Sequence, residues 1–179
     1  MINPGLPKLL WTELDGRLWH ATSHQGLIGI IEDEYIRVSR SDRYTNSICR
    51  NLECVSLFDF GQGALEQNDF MSSNWFAWLG PEHSGRCAIW LEIDRARVAN
   101  NLTDPKALIE IVRATKNRGR FFAGVEACHK GPISGSAVIG ALVLDCRSRL
   151  VFRRCIGSLD NISREVVLFL DSLPPPRRR

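Results

Sequence analysis

The chain has 179 residues, enough for one domain with a substantial core, and its 44% hydrophobic and 24% charged residues exclude a disordered protein. Its net charge of +3 equals the charge of the arginines at 177–179, so the remaining chain is formally neutral and bulk charge does not hold it on nucleic acid. The longest apolar run, residues 137–144, is far shorter than the roughly 20 residues that span a bilayer, which excludes a transmembrane segment.

The N-terminal residues lack the pattern of a signal peptide, so we expect a cytoplasmic protein without a membrane partner. We expect one domain over residues 1–173 and a disordered Pro/Arg tail over 174–179. Six cysteines are present without a CxxC pair, and the histidines stand apart from one another. This pattern predicts free thiols in a reducing compartment and no metal site.

The predicted elements include more strands than helices. Helices are predicted after a Ser23 cap, from residues 103–105 to Gly119, and from about Ser163 to the C-terminal prolines. Residues 61–85 have the composition of a loop, with three aromatic residues between 75 and 78 that could stack a base or lie in the core. Because strands and helices do not alternate, we expect an α+β fold with a mixed or antiparallel sheet. The predicted strands are residues 17–21, 35–38, 54–58, 87–93, 121–128, 137–145 and 150–155.

Common catalytic motifs are missing from the sequence. It contains no P-loop, no dinucleotide-binding GxGxxG, no GxSxG and no HExxH. Cys128 precedes His129, but neighbouring strand residues point to opposite faces, which disfavours a thiol nucleophile activated by that histidine.

Two segments could bind a nucleotide. His20 and Thr22 share one face of the first strand, and Ser23 follows at the start of a helix, where anionic groups are favoured. The alternative is a core histidine followed by a helix cap. Arginines then precede the strand at 54–58, and one of them could clamp a pyrophosphate, although each could equally be solvated. These arginines are Arg37, Arg40, Arg43 and Arg50.

Glu126 is the candidate catalytic acid. It is the lone acid in a strand of small and aromatic residues, and a carboxylate there is costly unless it is paired or used. The alternative is that Glu126 faces solvent on a half-exposed sheet. Glu92 is a competing acid in the strand at 87–93.

Together these segments resemble the ADP-ribosyltransferase superfamily, and within it the DNA-targeting ADP-ribosyltransferase toxins, the DarT group. The resemblance covers roughly residues 17–145 and rests on short motifs. These motifs are His20-x-Thr22, Gly26-Leu27-x-x-Ile30-Ile31, the arginine-bearing loop, Val55-x-Leu57-Phe58, Glu126 followed by Pro132-Ile133, and the strand around residues 138–143.

The resemblance implies a split mixed or antiparallel sheet with flanking helices and a site that uses NAD as substrate. His20, Thr22 and Ser23 would then hold the adenosine side, and Glu126 would be the catalytic acid residue. Arg50, or alternatively Arg43, would hold phosphate and orient the leaving nicotinamide. The chain departs from the family pattern at Ser56 and Phe58, where relatives place a Tyr or a Ser-Thr-Ser motif, so Phe58 or Phe60 would have to stack on the nicotinamide.

The resemblance also implies a mono-ADP-ribosyltransferase that modifies a nucleic-acid base, with an antitoxin or immunity protein as a partner. Modification of a protein, NAD hydrolysis and a non-catalytic binding module are the alternatives. Basic residues that could support nucleic-acid binding, or form solvated charged faces, are Arg113, Lys116, Arg118, Arg120, Arg147, Arg149, Arg153 and Arg154.

Overall fold

The computed structural model describes residues 6–38, 47–61, 87–115, 122–145 and 152–173. Within these ranges the fold is mixed α+β, as the sequence predicts. Seven strands form one sheet in the order β5-β6-β3-β1-β4-β8-β9, and every neighbouring pair is antiparallel. These strands are β1 (Leu18–Thr22), β3 (Cys54–Asp59), β4 (Cys87–Ile93), β5 (Leu102–Thr103), β6 (Glu126–Lys130), β8 (Val138–Asp145) and β9 (Phe152–Ile156).

A second, small sheet pairs β2 (Tyr35–Ile36) with β7 (Ile133–Ser134). The described residues also form six α-helices. In the same part of the chain, no helix combines the length and the apolar character needed to cross a bilayer. The helices are α1 (Leu6–Leu14), α2 (His24–Asp33), α3 (Ile48–Asn51), α4 (Arg95–Val98), α5 (Pro105–Thr115) and α6 (Leu159–Ser172).

The two faces of the large sheet pack against different layers. On one face, α2 and α6 cover an aliphatic cluster that includes Leu57, Ile89 and Val143. On the other face, α1 covers an aromatic cluster that includes Trp19 and Trp90. Burial of each such side chain stabilises the folded state by about 1.5–3 kcal/mol. Because successive residues of a strand point to opposite faces, the position of a residue in its strand determines which layer it contacts.

Most predicted elements are present with shifted ends. The strand predicted at 121–128 is wrong in its first part, because residues 123–125 form a turn in which Gly124 has φ +86°, and β6 begins at Glu126. The last helix begins at Leu159 rather than near residue 163. The loop at 61–85, apart from Gly61, and the tail at 174–179 lie outside the described residues.

Candidate active site

The large sheet opens between β1 and β3. β1 pairs with β4 along all of its residues, whereas its ladder with β3 ends after two pairs, the second of which joins Trp19 to Phe58. Beyond this point the imidazole of His20 reaches the β3 backbone, with Nδ1 3.0 Å from the carbonyl oxygen of Ser56. We call this opening the β1–β3 seam. Strand alternation places His20 on the sheet face that carries the aliphatic cluster, because it pairs with Leu91 of that cluster.

Glu126 lies at the start of β6, and three donors hold its carboxylate. Oε1 accepts hydrogen bonds from Ser56 Oγ at 2.9 Å and Cys49 Sγ at 3.2 Å, and Oε2 accepts from the backbone N–H of Phe122 at 2.8 Å. Glu126 lies opposite Phe58 in the β3–β6 ladder, so it shares a sheet face with Phe58 and Ser56. The solvent-facing alternative is wrong, because Glu126 is only 4% exposed.

The three donors to Glu126 are neutral groups. Burial raises the pKa of Glu126, and the hydrogen bonds from Phe122, Cys49 and Ser56 lower it by a smaller amount. The carboxylate is therefore oriented at both oxygens and holds a proton more readily than an ordinary glutamate. Such a group can stabilise a nearby positive charge and can also accept a proton.

Ser56 connects Glu126 to His20. A carbonyl oxygen only accepts hydrogen bonds, so the contact with Ser56 requires Nδ1 of His20 to carry a proton. Burial lowers the pKa of His20 more than the bond to Ser56 raises it, and this favours the neutral ring. A neutral ring protonated at Nδ1 leaves Nε2 as an acceptor for a donor such as a sugar hydroxyl.

Thr22 and Ser23 join β1 to α2. Ser23 is the N-cap, and its Oγ accepts a hydrogen bond from the N–H of Gly26 at 3.0 Å. Thr22 packs against the same turn so closely that a Cβ at Gly26 would lie 2.2 Å from Thr22 Oγ1. The cap predicted at Ser23 is confirmed, whereas nucleotide binding by Thr22 and Ser23 stays a prediction.

Phe58 and Phe60, the expected stacking residues, lie in the aromatic cluster. The Phe58 ring centroid is 4.9 Å from that of Trp90 and 5.8 Å from that of Phe122, and Phe58 is 8% exposed. Phe60 is also buried, 6.2 Å from Trp90 between centroids. Phe122 is less buried and contacts the carboxylate through its N–H. It is therefore better placed than Phe58 or Phe60 to meet a flat ring at the site.

The candidate arginines differ in position. Arg50 is partly exposed in α3, where it follows the cysteine that contacts the carboxylate. Arg43 lies outside the described residues. Arg37 forms an exposed ion pair with Asp33 at 3.0 Å, away from the carboxylate's own contacts.

Glu92, the competing acid, belongs to an ion-pair network. Its carboxylate contacts Arg154 and lies 3.6 Å from Arg17 Nε, and Arg154 is in turn 3.6 Å from Glu13. Arg154 also lies over the Trp19 ring, 5.2 Å from its centroid. These contacts give Glu92 a structural role, holding β4 to α1 and β9.

The basic residues expected to bind nucleic acid are only partly described. Arg113 pairs with Glu110 at 2.7 Å, and Arg153 pairs with Glu165. Each described member of this set, including Arg154, therefore lies beside a carboxylate. Residues 116, 118, 120, 147 and 149 lie outside the described ranges, as do the aromatic residues at 75–78.

Two groups of the site were missed in the sequence. Cys49 reaches Glu126 from α3, which has four residues and is too short to show a periodic pattern. The Phe122 N–H reaches it because of the turn at 123–125. Within the described ranges, no group of three or more His, Cys, Asp or Glu could hold a metal ion.

The structure thus brings Ser56 and Cys49 into hydrogen-bonding contact with Glu126, and His20 contacts the backbone carbonyl of Ser56 from the opposite face of the sheet. Arg50 lies in the adjoining helix, and Thr22 shares the face of His20. No protein-family model, curated protein or solved structure matches this chain.

Proposed function

We propose that this protein is a mono-ADP-ribosyltransferase that transfers ADP-ribose from NAD to a macromolecule, with a nucleic-acid base as the preferred acceptor. The observation that supports this most is the Glu126 carboxylate, which is buried at the start of β6 and held at both oxygens by neutral donors. The motif resemblance and the short ladder between β1 and β3, the strand that carries Ser56, support a split ADP-ribosyltransferase-like fold.

The proposed reaction requires a fixed negative charge. The bond between nicotinamide and ribose breaks, its electron pair leaves with nicotinamide, and positive charge develops on the sugar. Glu126 stabilises that charge and can accept a hydrogen bond from the 2′-hydroxyl. A nucleophilic atom of the acceptor then bonds to the sugar, and Glu126, whose pKa burial raises, can take its proton.

The neighbouring residues fit the parts of NAD. The Nε2 lone pair of neutral His20 suits a ribose hydroxyl, and Thr22 with Ser23 borders the start of α2. Arg50 in α3 suits a phosphate, and Ser56 holds the catalytic carboxylate in place. The proposal keeps Arg43 as the alternative residue that would bind a phosphate of NAD.

The flat nicotinamide ring suits an aromatic neighbour. Phe122 adjoins the carboxylate through its N–H and is less buried than Phe58. We therefore assign Phe122 the contact that the resemblance implied for Phe58, and Phe58 supports it from behind, with 5.8 Å between the ring centroids.

One observation favours a second candidate. Arg113, Arg153 and Arg154 pair with carboxylates, which weakens their attraction for phosphates. Transfer to water, which is NAD hydrolysis, or to a protein side chain needs no basic surface. Both acceptors are therefore included in the test.

The test follows NAD that carries a label on its adenylate. Purified protein is incubated with this NAD and, in parallel, with single-stranded DNA, RNA or cell lysate, and nicotinamide release and label transfer are measured together. Glu126→Gln is the test variant, because Ser56 Oγ can rotate to accept from the new amide while the amide oxygen still accepts from Phe122. Glu92→Gln is the matched control, since it makes the same change on the same sheet face outside the site.

We expect label on nucleic acid and a loss of about 10²- to 10⁴-fold in Glu126→Gln, with NAD binding retained. Glu92→Gln should keep its turnover. Nicotinamide release without transfer would identify the hydrolase, and label on lysate protein would identify a protein acceptor. If the protein binds NAD but releases no nicotinamide in any mixture, it is a non-catalytic binding module and the proposed enzyme activity is wrong.

A further inference from the structure

Three thiols gather beside the proposed catalytic carboxylate. Cys49 and Cys128 are buried in one small cluster with Ile48 and Leu108, and Cys54 packs against its edge. Cys128 lies opposite Ser56 in the β3–β6 ladder, so its thiol is on the sheet face that carries Glu126.

Cys49 contacts the carboxylate and lies near a second thiol. Its Sγ is 3.2 Å from Glu126 Oε1 and 3.7 Å from the carbonyl oxygen of Ala127. The next residue after Ala127 is Cys128, which belongs to the same buried cluster as Cys49. Cys54 instead donates to the carbonyl oxygen of Leu52 at 3.2 Å, which turns its sulfur toward the start of β3.

The three thiols differ in their tendency to ionise. Interaction with the Cys49 thiol, and with Thr103 and Cys54, lowers the pKa of Cys128 to about 7 against the effect of burial. Burial, the largest effect, raises the pKa of Cys54 to about 11. Interaction with Cys128 and burial raise the pKa of Cys49 above its usual range. Cys128 is thus the thiolate of the group, and Cys49 is the thiol that can resolve it.

We propose that Cys128 and Cys49 form a reversible disulfide that withdraws the Cys49 thiol from Glu126 and so slows the reaction at this site. The disulfide depends only on the thiol cluster, whereas its effect on turnover rests on the proposed function. The modifying reagent is a low-molecular-weight disulfide.

The chemistry is two successive thiol–disulfide exchanges. The Cys128 thiolate attacks one sulfur of the small disulfide, forms a mixed disulfide and releases one thiolate. Cys49 loses its proton to the released thiolate, attacks Sγ of Cys128 and releases the second thiolate, which takes a proton from solvent. The two cysteines are oxidised by two electrons, and the small disulfide is reduced to two thiols.

Loss of the Cys49 donor leaves Glu126 with Ser56 and Phe122. Because a hydrogen bond to a charged group is stronger than one between neutral groups, we expect at least a roughly 10-fold lower turnover in the oxidised protein. Reduction should restore the turnover, because the cysteine thiol returns to Oε1.

The disulfide is tested on the full chain with glutathione. The protein is equilibrated at graded ratios of oxidised to reduced glutathione, free thiols are alkylated, and linked peptides are mapped by mass spectrometry. We expect a Cys49–Cys128 link that is absent from Cys49→Ser and from Cys128→Ser and kept in Cys155→Ala, a control in the distant aliphatic cluster. A Cys54–Cys128 link, a stable mixed disulfide on Cys128, or no modification at any ratio would overturn the proposal.

The effect on turnover is tested in the same samples. Oxidised wild-type protein should transfer label at least roughly 10-fold more slowly than reduced protein. The Cys128→Ser variant should transfer label at the same rate under oxidising and reducing conditions. A mapped link without a change in turnover would overturn the regulatory half. If the link forms and the reduced protein transfers no label to any acceptor, the proposed function fails while the thiol chemistry stands.

Discussion

Asp59 and Glu126 are two buried carboxylates on neighbouring strands with opposite kinds of partners. Asp59 is fully buried and forms an ion pair with Arg95, whose Nη1 lies 2.8 Å from Oδ2, and it also accepts from the N–H of Gly61. Glu126 is almost as buried, but the three groups that hold it are a hydroxyl, a thiol and an amide. The two carboxylates differ in the charge of their partners and not in their burial. The arginine neutralises the charge of Asp59, whereas the neutral donors leave the charge of Glu126 available for chemistry.

The largest expected effect comes from replacing Asp59, the carboxylate with the structural role. Asp59→Asn leaves the Arg95 guanidinium without its counter-charge in a partly buried position, so we expect a loss of about 2–3 kcal/mol in the free energy of unfolding. Glu126→Gln should lose far less, because its donors are neutral and can re-pair. Urea unfolding of both variants measures the difference. Equal destabilisation would show that the two carboxylates have the same structural weight.

The next effect concerns the hydroxyl that holds Glu126. Ser56→Ala removes the bond to Oε1 and keeps the backbone carbonyl that binds His20. We expect turnover to fall roughly 10-fold or more, and the pH at which activity rises should move upward, because loss of this donor further favours the protonated acid.

Ser56→Thr is the matched control for that change, since it keeps a hydroxyl at the same position of β3. It should recover most of the turnover and the original pH profile. An active Ser56→Ala variant with an unmoved profile would mean that Ser56 does not hold the reacting carboxylate.

The smallest effect is on the pH dependence of stability. The folded state raises the pKa of Glu126, so it binds a proton more tightly than the unfolded chain does, and the stability from this preference is fully present below the ordinary glutamate pKa. This stability is lost as the pH rises through the raised value.

Glu126→Gln should therefore become more stable relative to wild type as the pH rises from 4 to 8. Urea unfolding across this range gives the difference directly. Parallel curves for the two proteins would mean that the folded state does not favour the protonated acid. The ionised form is the one that stabilises a cation, so kcat/KM should rise with pH at an apparent pKa above the usual glutamate range.

Local patterns predicted a large part of this fold. Alternation identified the strand that begins at Cys54, and the cap at Ser23 was visible because a serine before a periodic apolar run has a direct local cause. Helix α1 was missed because Pro7 lies near its start and proline usually indicates a helix break, although the first turn of a helix tolerates proline. The turn before Glu126 was missed because aromatic residues there suggested a longer strand.

The site was only half visible for a related reason. Glu126 stood out because a lone acid among apolar residues has a cost that its own segment displays. Cys49 did not, since its importance comes from a contact 77 positions along the chain. The seam itself is a property of how far β1 and β3 pair, which no single segment encodes.

The distance along the chain between Ser56 and Glu126 also determines when a working site can exist. These residues are 70 positions apart, and β3 meets β6 only after the chain has been extended through Lys130. A growing polypeptide that ends before residue 126 carries Cys49 and Ser56 but lacks the acid that they orient. The proposed activity therefore begins only when the sheet closes, late in synthesis and together with tertiary structure. If the chain is cut between these two strands, neither fragment should have the proposed activity on its own.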